Sequence, residues 1–488
     1  MNRERIESAL FAFLACVIAV CSLLLYSHKD MTGTPYSEIL AYQQANPHKK
    51  LSYTVNIYGA EEPLVFNAQS ERIVLTTGDQ CYSMAEQVSL LPEDMPIYLD
   101  FIPTEKELLI MYETFPAAEL VYSAYTLDGV EYSADCTEVD LSNYSYSKIK
   151  QFVPFLNTLP TLNAIQLVDA DGQVKLELDE VLQLQSDCPD LLLRYKFELF
   201  GKIVTTDMER LDYVKVVIRD SGLDEFRKVM PIMKNLNYLL LDTCKTSNVA
   251  TAQLREDLAP QCKVVWRVFF GQNDALTDTY KIWATWNLNS DEVKDLKYFT
   301  EIKYIDLGHN HFTNLDFMAY MPDVEMAIVA LNDLRDISGI ANCTKLEYLE
   351  IFTNEALTDE DMVHLSGLVN MKYLNVSNLP KLRSLAFTDN MNQLKWLWCT
   401  MSYIPKAEVN RVKELHPDCT VNYIYFTGDP TEYGWRYTAY PKDQEPIKSS
   451  VYTLVRARFG YDNWQYSKDG KGYLREEITF ESLGLTPP

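Results

Sequence analysis

Apolar and polar positions in the C-terminal half of the chain fall into five rows that share one frame: apolar, two residues, apolar, one residue, apolar. The rows are Ile302, Ile305, Leu307; Val324, Ala327, Val329; Leu346, Leu349, Ile351; Met371, Leu374, Val376; and Leu394, Leu397, Cys399. Their starts lie 22, 22, 25 and 23 residues apart, and three rows carry an asparagine three positions past the last apolar residue, at Asn310, Asn332 and Asn354. Alternating side chains on a short strand face one side, so each row predicts a strand with a buried face. A carboxamide in the next turn supplies both donors and an acceptor to backbone groups there. Units this small bury their apolar face only against their neighbours, which predicts a solenoid.

The same frame recurs more loosely upstream, at Leu162, Ile165, Leu167; at Leu211, Val214, Val216; and at Leu236, Leu239, Leu241 with Cys244 in the asparagine position. A longer period overlies it. Helix-like stretches end near Pro47, Pro116, Pro189 and Pro260, which are 69, 73 and 71 residues apart. Period-2 runs follow, such as Leu193, Tyr195, Phe197, Leu199 before Gly201, and Val265, Phe269 before Gly271. Each reads as a strand leaving the array into a hairpin. The predicted organisation is divergent strand-helix repeats of about 70 residues with hairpins over 31–289, regular repeats over 290–425, and an aromatic-rich C-terminal cap over 426–488.

The regular rows resemble the leucine-rich-repeat family, and the 22-residue spacing with phrases such as Asp336-Ile337-Ser338-Gly339-Ile340 is similar to the internalin-like class, over about residues 290–425. The resemblance implies an α/β solenoid with parallel strands on the concave face and helices or irregular turns on the convex face. In that family's frame the residue before the middle apolar position points outward onto the concave face. The column so defined is Tyr213, Tyr238, Tyr304, Met326, Tyr348, Tyr373 and Trp396, and the adjacent one is Lys215, Leu240, Asp306, Ile328, Glu350, Asn375 and Trp398. Six of the first seven are aromatic in a chain that is 12% aromatic overall, so the stripe needs a cause. Exposed rings give large contact area at little entropy loss, which favours recognition of a protein or peptide through Tyr213, Tyr238, Tyr304, Tyr348, Tyr373, Trp396 and Trp398. Stacking of neighbouring rings as a purely structural device is the alternative. Carbohydrate stacking on the same rings is a further reading.

Charge narrows the partner class. With 44 basic against 69 acidic residues the net charge is -25, which argues against nucleic acid because phosphate binding needs a cationic surface. From Ala9 to Tyr26 no residue is charged, with Arg3 and Arg5 before the run. At 1.5 Å per residue such a run approaches the bilayer core thickness, predicting an N-terminal transmembrane helix, a single-pass membrane location and an extracytoplasmic C-terminal bulk. Signal cleavage, or lipidation at Cys16, would place the bulk in the same compartment.

Catalytic signatures are missing: the chain has no HExxH, GxxxxGK or GxSxG, so the expectation is a binding protein that is not an enzyme, without cofactor or metal. An extracytoplasmic enzyme or enzyme subunit is the residual alternative. The stretch Gln465 to Glu476 echoes a calcium loop, but its first ligand position is glutamine. His309 and His311 flank Asn310 and belong to a turn. Cys188, Cys262 and Cys419 occupy equivalent helix-to-strand positions, which suits small apolar side chains filling a repeat core.

Overall fold

Short parallel strands recur in both units, many of them three residues long with a buried central side chain. The computed structural model describes residues 28–423 apart from 48, 61, 68 and 286, together with 13, 14, 16, 17, 437–439, 447–459, 464–466 and 472–474. Two compact units divide it: Met1–Met208 with Val229–Asn235, and Glu209–Lys228 with Leu236–Pro488.

In the first unit β1 (His28–Asp30), β2 (Lys50–Val55) and β3 (Leu64–Asn67) form a sheet, β1 parallel and β3 antiparallel to β2. β4 (Ile73–Leu75), β5 (Ile97–Leu99) and β6 (Leu120–Val121) are parallel, followed by the hairpin β7 (Ala124–Leu127) and β8 (Val130–Ser133). The order repeats in β9 (Glu138–Asp140), β10 (Ala164–Gln166) and β11 (Leu192–Arg194), then the hairpin β12 (Lys196–Leu199) and β13 (Lys202–Thr205). Phe200 and Gly201 both take positive φ, at 51° and 76°, so the strand twist is matched by a tight two-residue turn. Helices α1 (Tyr36–Ala45), α2 (Gly78–Glu86), α3 (Glu105–Thr114), α4 (Tyr146–Leu156) and α5 (Leu178–Asp187) connect the strands. Local sequence starts them: Thr104 accepts from the Glu107 amide at 3.4 Å while Glu107 accepts from the Thr104 amide at 2.7 Å, a reciprocal cap.

The second unit begins with β14 (Arg210–Val214), β15 (Tyr238–Asp242) and β16 (Lys263–Phe270) in parallel, with β17 (Asn273–Leu276) antiparallel to β16 and α6 (Asn248–Leu258) between β15 and β16. Arg267 clamps Asp242 through two bonds of 2.8 and 2.9 Å and also reaches Asp274. The guanidinium holds the Asp242 carboxyl below its ordinary value of 3.8. A lowered folded value stabilises the fold in full above the unfolded value and loses that effect as pH falls through the folded one. Asp242→Asn is therefore expected to lose about 1–2 kcal/mol at pH 7, since bonds to charged groups are worth about that much, and distinctly less at pH 3. Urea titrations at the two pH values check this, and an equal loss at both would discount the ion pair.

Seven parallel strands follow: β18 (Lys281–Trp283), β19 (Tyr304–Asp306), β20 (Met326–Ile328), β21 (Tyr348–Glu350), β22 (Tyr373–Asn375), β23 (Trp396–Trp398) and β24 (Thr420–Asn422). All pair in one register, so Ile305, Ala327, Leu349, Leu374 and Leu397 form a fully buried central row. Short 3-10 turns such as Asp316–Tyr320 and Ser338–Asn342 return the chain, and α7 (Lys406–Leu415) precedes β24. The asparagines form a ladder. Asn310 donates to Ala284 O at 2.9 Å and Leu307 O at 3.0 Å, Asn332 to Leu307 O and Val329 O, and Asn354 to Val329 O and Ile351 O. Each amide thus ties its own turn to the preceding one, and the residue before it (His309, Leu331, Thr353) is held at positive φ. Where the sequence has Cys244 instead, its thiol lies 3.3 Å from Tyr213 O. Cys188, Cys262 and Cys419 are buried, and burial pushes their thiols up to about 11, leaving them protonated at neutral pH.

One expectation is corrected. No helix among the described residues is long and apolar enough to cross a membrane. Most of 9–26 lies outside the described residues; of that stretch Phe13, Leu14, Cys16 and Val17 are described, and they are helical. The single-pass location and extracytoplasmic bulk drawn from that helix fall with it. The calcium-like stretch 465–476 lies largely outside the described residues.

Candidate functional site

Strand register decides which predicted rings meet. Tyr304, Met326, Tyr348, Tyr373 and Trp396 pair in sequence across β19 to β23, and Asp306, Ile328, Glu350, Asn375 and Trp398 form the column two residues along the same strands. Both columns lie on the opposite side of the sheet from the buried Ile305 to Leu397 row, because side chains alternate. Rings of Tyr348 and Tyr373 lie 6.3 Å apart, and Trp396 stacks on Trp398 at 4.4 Å. The Trp396 indole donates to Asn422 at 2.8 Å, which fixes the ring against β24.

Two predicted members are not part of this face. Tyr238 belongs to the sheet of β14 to β17, where its hydroxyl donates to Asp278 at 2.8 Å and the Arg210 guanidinium covers its ring at 4.0 Å. Burial first and the Asp278 bond second push that hydroxyl up to about 12. Tyr213 pairs with Leu241, not with Tyr238, and is 1% exposed, packed edge-on against Phe226. Its side chain thus fills the repeat core, with Leu211 as the other inward residue of that strand.

Nor does the face stand open to solvent. Tyr304, Tyr348, Tyr373 and Trp398 are 8%, 2%, 7% and 3% exposed, and Trp396 alone of the predicted residues in this sheet is half-buried. The cover includes α8 (Ser450–Phe459), within the segment expected to be a cap. Its Val451, Tyr452, Leu454, Val455 and Phe459 share one buried apolar cluster with the rings of the face. Phe459 meets Tyr304 edge-on at 6.4 Å, and the Arg458 guanidinium lies 5.3 Å over the same ring. Sequence reading missed α8, while it placed Asp306 and Glu350 in the adjacent outward column, where the structure buries both. Asp306 and Glu350 are 6% and 0% exposed; Asp306 accepts from the Gly308 amide at 3.0 Å and Glu350 from the Tyr348 hydroxyl. Burial raises the Tyr373 hydroxyl, with Glu347 adding to it, so that ring offers a donor and an apolar face rather than a base.

Parallel three-residue strands at this spacing, with an asparagine ladder in the turns, form a leucine-rich-repeat solenoid. Among solved structures it is similar to an internalin of Listeria monocytogenes at 16% identity, with 62% of this chain and 87% of that one covered and a TM-score of 0.29. A leucine-rich-repeat protein of Leptospira interrogans is similar at 13% identity over 70% of this chain and 92% of its own, with a TM-score of 0.28. No protein-family model and no curated protein matches the chain.

Proposed function

We propose that this chain is a leucine-rich-repeat binding protein, not an enzyme, that engages a protein or peptide partner on the aromatic face of β19 to β23. The observation that carries the reading is the register of Tyr304, Tyr348, Tyr373 and Trp396 in one column facing away from the repeat core. Rings so aligned offer contact area without large entropy loss, and a few such anchors carry most of the energy of a protein interface. These rings already accept a polypeptide surface, the apolar side chains of α8 that pack on the column, which favours a protein partner over a sugar.

Trp396, half-buried at the end of the column, is the anchor to test. A photo-crosslinker placed at Lys395, which is exposed beside it, identifies what the native protein contacts. Trp396→Ala is expected to weaken binding of that partner by about tenfold or more while the circular dichroism spectrum stays native. Undiminished affinity in the folded variant would remove this face from consideration.

A further inference from the structure

The helix on the aromatic face has the character of a bound peptide. Val451, Leu454, Val455 and Phe459 recur at the spacing of one helical face, and all are buried. Ser449 caps the start, accepting from the Tyr452 amide at 3.0 Å. Its ten residues are fewer than an isolated helix needs for stability in water, so its order depends on the face it covers.

Charge and fit add to this. In a chain of net charge -25, Ser450–Phe459 contains two arginines, Arg456 and Arg458, and no acid. The outward side of this sheet holds two buried carboxylates, Asp306 and Glu350, and Asp306 lines the same pocket as Arg456. Tyr304 already carries one cation, Arg458, over its ring. An open pocket of about 330 Å³ lies where helix and repeats meet, lined by Asp306, Ile328 and Phe352 from the repeats and Tyr452, Val455 and Arg456 from the helix. An incoming helix with longer side chains at these positions would fill this pocket.

We propose that the aromatic face is a receptor for a basic amphipathic α-helix of a partner protein, and that α8 is the resident occupant which such a helix displaces. This rests on the protein-binding reading above and names its partner class. The incoming helix repeats the pattern of α8: apolar residues at positions equivalent to 451, 454, 455 and 459, with arginine or lysine at 456 and 458. The sequence between β24 and α8 makes the resident a tethered competitor, which an external helix must outbind.

The probe is a fluorescent peptide of residues 447–461, titrated into the full chain by anisotropy. Val455→Asp puts a charge into the buried contact and ejects α8, so the variant chain is expected to bind the peptide at least about tenfold more tightly than the wild-type chain. A peptide carrying Arg456→Glu and Arg458→Glu is expected to bind neither. If Val455→Asp loses the cooperative thermal transition of the wild type, the full chain with Arg458→Glu, an exposed position, serves instead, with a gain of about threefold. Equal affinity in wild-type and folded variant chains, or equal binding of the charge-reversed peptide, overturns the proposal. Binding seen only at concentrations where the chain dimerises assigns the face to a second copy and overturns it too. A chain that ignores the peptide yet loses its crosslinked partner on Trp396→Ala sinks this inference alone and leaves the protein-binding reading intact.

Discussion

Asn310→Ala is expected to destabilise the protein by about 3–4 kcal/mol, because one side chain serves three buried backbone groups. Its Nδ2 donates to Ala284 O and Leu307 O at 2.9 and 3.0 Å, and its Oδ1 accepts from the Leu288 amide at 2.9 Å. The residue is 1% exposed, so water does not replace those bonds without a shift of the turn. Each orphaned buried group costs about 1–3 kcal/mol, and partial relaxation keeps the sum below the maximum. Asn310→Asp is expected to be worse than alanine at pH 7, since a carboxylate would face two carbonyl oxygens without a proton to offer. Urea denaturation measures both, with Asn392→Ala at an exposed site expected within about 0.5 kcal/mol of wild type. An Asn310→Ala chain as stable as that control would show that the ladder follows the fold instead of holding it.

Gly339→Ala should cost about 2–3 kcal/mol, and its sign is as informative as its size. A Cβ at this position would overlap the Leu315 carbonyl oxygen and come within 2.8 Å of the Leu315 carbonyl carbon and 3.2 Å of Asp316 Cα. Those atoms are backbone of the preceding repeat, so relief requires neighbouring turns to move apart, with a cost typical of overpacking. In an ordinary helical turn the same replacement stabilises by about 0.5–1 kcal/mol through chain entropy. Gly367 provides that comparison, with no atom within 4 Å of where its Cβ would lie, so Gly367→Ala is expected to be neutral or mildly stabilising. A stabilised Gly339→Ala protein would mean that the convex turns are looser than their packing implies.

The regular strands were legible because their cause is local and periodic. Ile305, Leu349 and Leu374 had to share a side, and an asparagine after the strand had turn carbonyls within reach. The frame failed at β14. There the apolar residues Val214 and Val216 attract the pattern, while hydrogen bonding sets Leu211 and Tyr213 inward and leaves Val214 half exposed. Side-chain hydropathy does not separate these registers, since a tyrosine fills a core or a surface equally well. The helix α8 carried its own signal, apolar residues at 451, 454, 455 and 459 behind a serine, hidden among the aromatic alternation on either side. An uncharged run at the N-terminus reads as a span by hydropathy, yet the described residues contain no helix that meets the length required.

In the regular repeats the sequence by itself determined which side chains share a strand face, because alternation and a fixed repeat length follow from backbone geometry within each unit. Only the tertiary structure decided whether the outward rings meet solvent. Their exposure depends in part on α8, which returns from well beyond the last repeat strand to pack on this face, and no local period encodes where a distant segment comes to rest.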